Sequence, residues 1–455
     1  TSCLFYVLFL NVVSCYNVLV VFPEPTRSHG ILGAGYVRHL LEAGHNVFEP
    51  KGSVHTFSYL KRTYTSESSF LLMLGYTFAK NSVEHAEVQK LLRDPGNKFD
   101  VVVAEWIDSE IYSGYVIYKR ILSISTQMHW QPLRLMDEYP NPSYSADVNS
   151  GYTPPFNFKS YDYCLFAVES KGGTIAPYEE LYKSYSMMLV NNHPSIGTAW
   201  RLPPNVRDIG GYHIQDPVKP LPEELQLLMD NTKAVIYFSL GSTSSAKDMS
   251  TNMKYGLLDV FRKLEQTVIW KMDEKLANVS ENVVLLNWAP QTSLLAHPKT
   301  KLFITHGGQL SVTETIHFGV PVISIPLHVD QFANTDAIVK KGVAVKLDYN
   351  DDLPTNLEKA IDEVFRKSSY KEAMQNLSKI YHDRVVSPGA ELVHWVEHVV
   401  RTGGALHLRS PALMVPWYQK IYLELVFIII GVIVLFILLC KGIWWFCKKL
   451  NLCYC

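Results

Sequence analysis

The 455-residue chain predicts an α/β protein of two halves, each a parallel sheet flanked by helices, followed by one membrane-spanning helix. Three observations carry this. Short apolar, β-rich runs alternate with amphipathic helical stretches in both halves, the pattern of βαβ units. A stretch rich in proline and charge, QDPVKPLPEELQ, interrupts that pattern at about Asp216, and a chain of this length exceeds what one core usually serves. Near the end, Leu425 to Cys440 carries no charge, and continuing past the single Lys441 to Phe446 gives a length that crosses a bilayer.

In the first half, residues 17–49 read as the strand NVLVVF, the polar loop PEPTRSHG, a helix from about Ile31 to Ala43 closed by Gly44, and a second strand from His45. The glycines of HGILGAG are a scrambled dinucleotide fingerprint and are read as helix packing. A further strand, FDVVVAEW, starts at Phe99. The second half opens with AVIYFSLGS (234–242) and continues through TVIWK and NVVLLNW. Two such halves facing each other bring their strand ends to a shared crevice, the preferred place for a ligand.

The densest chemistry lies in FITHGGQLSVTETIHFGVPVISIPLHVDQFAN, residues 303–334. It reads as strand, tight turn, short helix, strand. The carboxyl end of such a strand faces the unpaired N–H groups and positive dipole end of the next helix, so His306 to Ser311, with Gly308 at the turn, forms a cradle for a phosphate-bearing ligand. Glu314 repels phosphate and suits ribose hydroxyls. SVTE reads equally well as a capping box in which Ser311 and Glu314 only satisfy backbone donors.

Both ends are apolar. Residues 1–15, TSCLFYVLFLNVVSC, resemble the h-region and small-residue cleavage site of a secretory signal, although a buried strand reads similarly. Trp417, Tyr418 and Tyr422 precede the apolar span, and Trp444, Trp445 and Phe446 close it, as interfacial belts do. Lys448 and Lys449 follow, so the tail is expected in the cytosol and everything before Tyr422 on the lumenal side. Cys164 is the one cysteine between the two ends, so the body is expected to fold without an internal disulfide. Sequons at Asn278 and Asn376 suit a lumenal body. With 42 basic and 43 acidic residues and no long run of one sign, a nucleic-acid partner is not expected. No His and carboxylate set shows metal-ligand spacing.

Taken together, NWAPQTSLLAHP, FITHGG, SVTE, GVPVISIP and DQ resemble the signature of the membrane-bound animal UDP-glycosyltransferases, with weaker resemblance across SHGILG, FDVVVAEW, NHPSIG and the terminal anchor. The resemblance implies the GT-B fold, two Rossmann-like domains facing a central cleft, plus one C-terminal transmembrane helix. The expected layout is a signal remnant at 1–15, an acceptor-binding domain at 16–215 and a UDP-sugar-binding domain at 216–405. A juxtamembrane linker at 406–421, a transmembrane helix at 422–446 and a cytosolic tail at 447–455 complete it.

The same resemblance implies roles. Trp288 stacks on uracil with Gln291 beside the base, His306, Gly308 and Ser311 contact the diphosphate, and Glu314 contacts the ribose. Asp330 and Gln331 reach donor-sugar hydroxyls, while Ser239, Gly241 and Ser242 approach the diphosphate from the other side. His29 matches the general base, and Glu105 stands where the family's orienting aspartate is expected. The implied function is inverting, metal-independent transfer of a hexose, with glucose favoured, from a UDP-sugar to the hydroxyl of a small lipophilic acceptor. Localisation would be the endoplasmic reticulum membrane, and a homo-oligomer is left open. The segments between Glu49 and Phe99 and between Phe156 and Tyr185 look short for the family, which keeps a second expectation in view: a catalytically silent, membrane-tethered nucleotide-binding or regulatory homologue with a truncated acceptor domain.

Overall fold

The computed structural model describes residues 15–22, 26–49, 84–94, 96–106, 118–127, 136, 185–197, 202–241, 249–328, 330–411, 415, 417–420 and 422–449. The expected signal segment apart from Cys15, and also Cys164, Ser242 and most of the two short segments, lie outside the described residues. Up to residue 408 the protein holds two six-stranded sheets, parallel throughout.

The first sheet begins with β1 (Asn17–Val21), α1 (Arg27–Glu42), β2 (Asn46–Phe48) and α2 (Ala86–Arg93). It continues with β3 (Val101–Glu105), β4 (Lys119–Ile124), β5 (Met187–Val190) and β6 (Val206–Asp208), in the spatial order β2-β1-β3-β4-β5-β6. Its central strands are buried on both faces, which is why they read as continuous apolar runs. Helix α1 starts four residues before the expected Ile31. Thr26 is its extended N-cap, and a first turn written RSHG carries no apolar periodicity to announce it.

The second sheet is preceded by α3 (Glu223–Asn231), so the expected interdomain stretch ends in a helix. Then follow β7 (Val235–Ser239), α4 (Thr251–Arg262), β8 (Thr267–Lys271), β9 (Val283–Leu286), α5 (Gln291–Ala296), β10 (Thr300–Thr305), α6 (Gln309–Phe318), β11 (Val322–Ser324), α7 (Asp330–Lys340), β12 (Ala344–Lys346), α8 (Leu353–Arg366) and α9 (Ser368–His382). The spatial order β12-β11-β10-β7-β8-β9 is that of a doubly wound sheet. Alternation along β7 sends Ile236 and Phe238 into one core with Leu257, Phe261 and Trp270, and Val235 and Tyr237 into the other with Ile269, Leu294 and Phe303. The stripe Leu353, Leu357, Ile361 and Val364 closes the first of these from α8.

The chain then crosses back. Helix α10 (Pro388–Arg401) is capped by Ser387, whose Oγ accepts from Ala390 N at 3.2 Å, with Pro388 at the position where a missing N–H costs nothing. Its Leu392, Val396 and Val399 pack with Leu32, Tyr36 and Leu40 of α1 on the first sheet. Each fully buried side chain of this size contributes about 1.5–3 kcal/mol, so this helix fastens the second half to the first.

Residues 409–455 form a separate unit. Within it, α11 (Leu423–Lys449) is 27 residues long, reaches a mean hydropathy of 3.2 and has no buried residue. It is long and apolar enough to cross a membrane, and a core helix of a soluble domain would be covered.

Candidate active site

In each sheet the connection reverses direction between two central strands, and that point opens a crevice at the strands' carboxyl ends. In the first sheet it falls between β1 and β3, where His29 and Glu105 sit; in the second, between β7 and β10, where Ser239 and His306 sit.

His29 extends a helical stripe. His29, Leu32, Tyr36 and Leu40 recur at spacings of three and four on α1, and the last three are fully buried against the first sheet. The imidazole therefore continues the core face to the sheet's edge, where Nδ1 lies 2.5 Å from Glu105 Oε1. Its side chain keeps 18 % of its surface, whereas Glu105 has none. Ser125 Oγ, just past β4, donates to the same carboxylate oxygen, and its own carbonyl accepts from Asn191 Nδ2 at 3.1 Å. A carboxylate only accepts, so the pair requires Nδ1–H on the imidazole and makes Nε2 the nitrogen able to take a proton. Burial, with Glu105's charge adding to it, raises the Tyr36 phenol well above its ordinary range and keeps this wall neutral. The glutamate thus reaches what an aspartate was expected to reach.

In the second sheet, α6 starts at Gln309 behind the N-cap Gly308, with no side-chain cap. The capping-box reading of SVTE fails because the N-cap is Gly308 and Ser311 is already the third residue of the helix. Ser311 and Glu314 instead meet Gln291, whose Nε2 donates to Ser311 Oγ at 3.1 Å and to Glu314 Oε2 at 2.7 Å, while its Oε1 accepts from Tyr237 at 3.2 Å. Glutamine and glutamate, the residues expected beside base and ribose, form one hydrogen-bonded array.

Gly241, at φ 86°, comes so close to His306 that an added Cβ would stand 2.5 Å from its Nε2, and Gly241 N is 3.3 Å from Ser239 Oγ. Burial, then the charges of Lys271 and His328, lowers His306 to about 4, so it meets a ligand as a neutral dipole. Asp330 Oδ2 accepts from Asn334 Nδ2 at 2.9 Å. Gln331 Oε1 accepts from the N–H groups of Leu327 and His328 at 2.8 and 2.9 Å, so the side-chain oxygen expected near the sugar is spent on the loop and its amide nitrogen is the end available to a ligand. Among the described residues, no three His, Cys, Asp or Glu side chains gather as metal ligands.

Trp288 is 47 % exposed, so its indole is a surface and not a core side chain. The Arg27 guanidinium lies 4.3 Å from its ring centroid and the Lys271 ammonium 5.2 Å. Lys271 also donates to the Gly241 carbonyl, and burial, then Arg27's charge, lowers its pKa. Cations from both halves therefore converge on Trp288, and the charge of Lys271 also reaches the neutral His306, a setting that favours an anion. Sequence reasoning passed over Arg27, Ser125, His213 and Lys271. Of these only Lys271, closing TVIWK, ends a strand the sequence announces; Arg27 falls in the stretch read as loop, and the strands that precede Ser125 and His213 carry no reading in the sequence.

A pair of doubly wound sheets with ligand chemistry at both reversal points is the GT-B class of glycosyltransferase. The solved UDP-glucosyltransferase from Polygonum tinctorium, described as capable of glucosylating indoxyl, shares the fold with a TM-score of 0.59, covering 85 % of this chain and 99 % of that one at 15 % identity. Residues 155–452 match the family described as UDP-glucoronosyl and UDP-glucosyl transferase. UDP-glucosyltransferase 2 of Dactylopius coccus is 32 % identical over 387 residues, covering 79 % of this chain and 74 % of that protein. UDP-glycosyltransferase UGT5 of the same organism is 31 % identical over 488 residues, covering 94 % and 92 %. The chain belongs to this family: it is a UDP-glycosyltransferase, using a UDP-sugar as donor.

Proposed function

We propose that the protein moves glucose from UDP-glucose to the hydroxyl of a small lipophilic acceptor with inversion, His29 acting as general base. The observation that carries this reading is the 2.5 Å contact between His29 Nδ1 and Glu105 Oε1. The acceptor's O–H proton passes to Nε2 as its oxygen attacks the anomeric carbon; the bond from that carbon to the phosphate oxygen breaks, and UDP leaves with the electron pair. Glu105, held by Ser125, steadies the imidazolium formed. Trp288 carries the uracil, Gln291 lies beside it, and Glu314 takes the ribose hydroxyls. The diphosphate rests on the α6 N-terminus with His306, Ser311, Ser239 and Gly241, and Asp330 and Gln331 serve the sugar.

Glucose is supported by the names of the relatives, since UDP-glucosyltransferase 2 of D. coccus and the P. tinctorium enzyme are both glucosyltransferases. A small acceptor is supported by the indoxyl of the latter. We place the body in the lumen of the endoplasmic reticulum, anchored by α11 with its lysine-bearing end in the cytosol, because Lys448 and Lys449 follow the apolar span. The test is transfer by the full chain in detergent from UDP-glucose, UDP-glucuronate and UDP-N-acetylglucosamine to phenols, sterols and aliphatic alcohols. Preference for UDP-glucose is expected. Preference for another donor overturns the glucose assignment, and UDP binding without transfer to any acceptor overturns the enzymatic reading in favour of a silent homologue.

A further inference from the structure

Glu314 is grasped from both sides. Gln291 holds Oε2 at 2.7 Å from within the second half, and His213 Nε2 lies 3.3 Å from Oε1. His213 is not part of the second sheet; it follows β6 of the first, in the segment leading to α3. Its side chain is 1 % exposed and Glu314's is 6 %. A carboxylate can only accept, so His213 must present Nε2–H, and in the neutral ring Nδ1 is then a bare acceptor. Nδ1 is buried and has no hydrogen-bond partner among the described residues. Burying a bare acceptor is unfavourable, and an apolar side chain would fill the space without that cost.

The segment carrying His213 is fixed from both halves. Arg38 Nη2 of α1 donates to the Tyr212 carbonyl at 2.8 Å, and Tyr212 packs edge-on against Tyr36 with ring centroids 4.9 Å apart. From the other side, Tyr381 Oη and Arg384 Nη2 donate to the Gly210 carbonyl at 3.2 and 2.9 Å. Gly211, at φ 98°, allows this pinch, since an added Cβ would stand 1.7 Å from Tyr381 Oη. The imidazole is therefore held at a set place by the same helix that carries His29.

We propose that His213 is a positioning residue for the ribose-binding carboxylate. It holds Glu314 Oε1 while Gln291 holds Oε2, so that both oxygens turn toward the two ribose hydroxyls and the donor site is completed by a side chain of the acceptor half. This rests on the reading of Glu314 as the ribose ligand.

The test compares two ligands within each variant, so a smaller folded fraction does not distort it: calorimetric Kd of UDP and of 2′,3′-dideoxy-UDP on the full chain in detergent. Hydroxyls bonded to a carboxylate are worth about tenfold or more together, and the parent should show that preference for UDP. His213→Ala should cut the preference at least about threefold, and His213→Gln, which can place an N–H at similar reach, should restore most of it. A parental preference in Glu314→Ala overturns the ribose reading itself. If Glu314→Ala abolishes the preference while His213→Ala keeps or enlarges it, the ribose reading stands and the role of His213 falls.

Discussion

Replacing Glu105 by the shorter aspartate tests whether the carboxylate works by reach. Removing one methylene withdraws the carboxylate by about 1.5 Å, the length of one carbon–carbon bond. With β3 anchored in the core between β1 and β4, the 2.5 Å contact to His29 Nδ1 opens to about 4 Å, beyond hydrogen-bond range. Ser125, which shares the same oxygen, is left behind as well. A hydrogen bond to a charged group is worth about 1.5–3 kcal/mol, which corresponds to about 10- to 150-fold in kcat if the bond is needed to fix the tautomer and to stabilise the imidazolium. The assay is kcat at saturating UDP-glucose with an aliphatic alcohol and with a phenol, alongside UDP affinity by calorimetry. The alcohol should suffer more, because a phenol surrenders its proton more readily, and UDP should bind as before. A kcat within about twofold of the parent would refute the reasoning.

His29→Ala should slow transfer to an aliphatic alcohol by at least about a hundredfold with UDP binding unchanged, and near-parental turnover would remove His29 from the mechanism. Trp288→Ala should weaken UDP by about 1–3 kcal/mol in calorimetry, the scale of a base on an aromatic face; unchanged affinity would remove Trp288 from the uracil site. Burial lowers His193, His306 and His317 to about 4, so the folded state favours neutral rings. Stability from these three is intact above about pH 6.5 and lost as pH falls toward 4, so the thermal midpoint should decline over that window, and a flat profile would contradict it. Protease added to sealed microsomes should spare residues up to Tyr422, and digestion of the body would reverse the orientation proposed for α11.

Some strands were legible because a parallel sheet buried on both faces writes itself as short apolar runs: NVLVV, VVVAE, VIYFS and TVIWK are all strands, whereas KRILSI, MMLV and VRD of the first sheet were not read. Helix starts were less so. Periodicity points to Ile31, yet α1 begins at Arg27, because a first turn need not contribute to the core stripe; the SVTE pattern suggests a cap at Ser311, yet Gly308 caps α6. Side chains that meet across the fold were not legible from spacing. Ser125 meets Glu105 because β4 pairs with β3, Arg27 meets Trp288 because the halves close on each other, and α10 covers the first sheet although an amphipathic stripe does not name the surface it will cover.

The location of His29 follows from core packing more than from any motif. One stripe of α1 carries Leu32, Tyr36 and Leu40 into the first sheet, and the same stripe, one step toward the N-terminus, carries the imidazole to the end of β3. The opposite side of the pair is equally constrained, since β3 is hydrogen-bonded on both edges and Glu105 is paired in register with Ser123 of β4. Imidazole and carboxylate are therefore fixed by rigid elements rather than by loops, which is what the proposed proton transfer to His29 requires. It follows that core substitutions on this stripe should be felt at the base. Tyr36→Leu removes the ring packed between Phe22 and Tyr212, and loosening α1 there should lower kcat before it lowers UDP affinity, because the side chains proposed to contact the donor hang mainly from the second sheet.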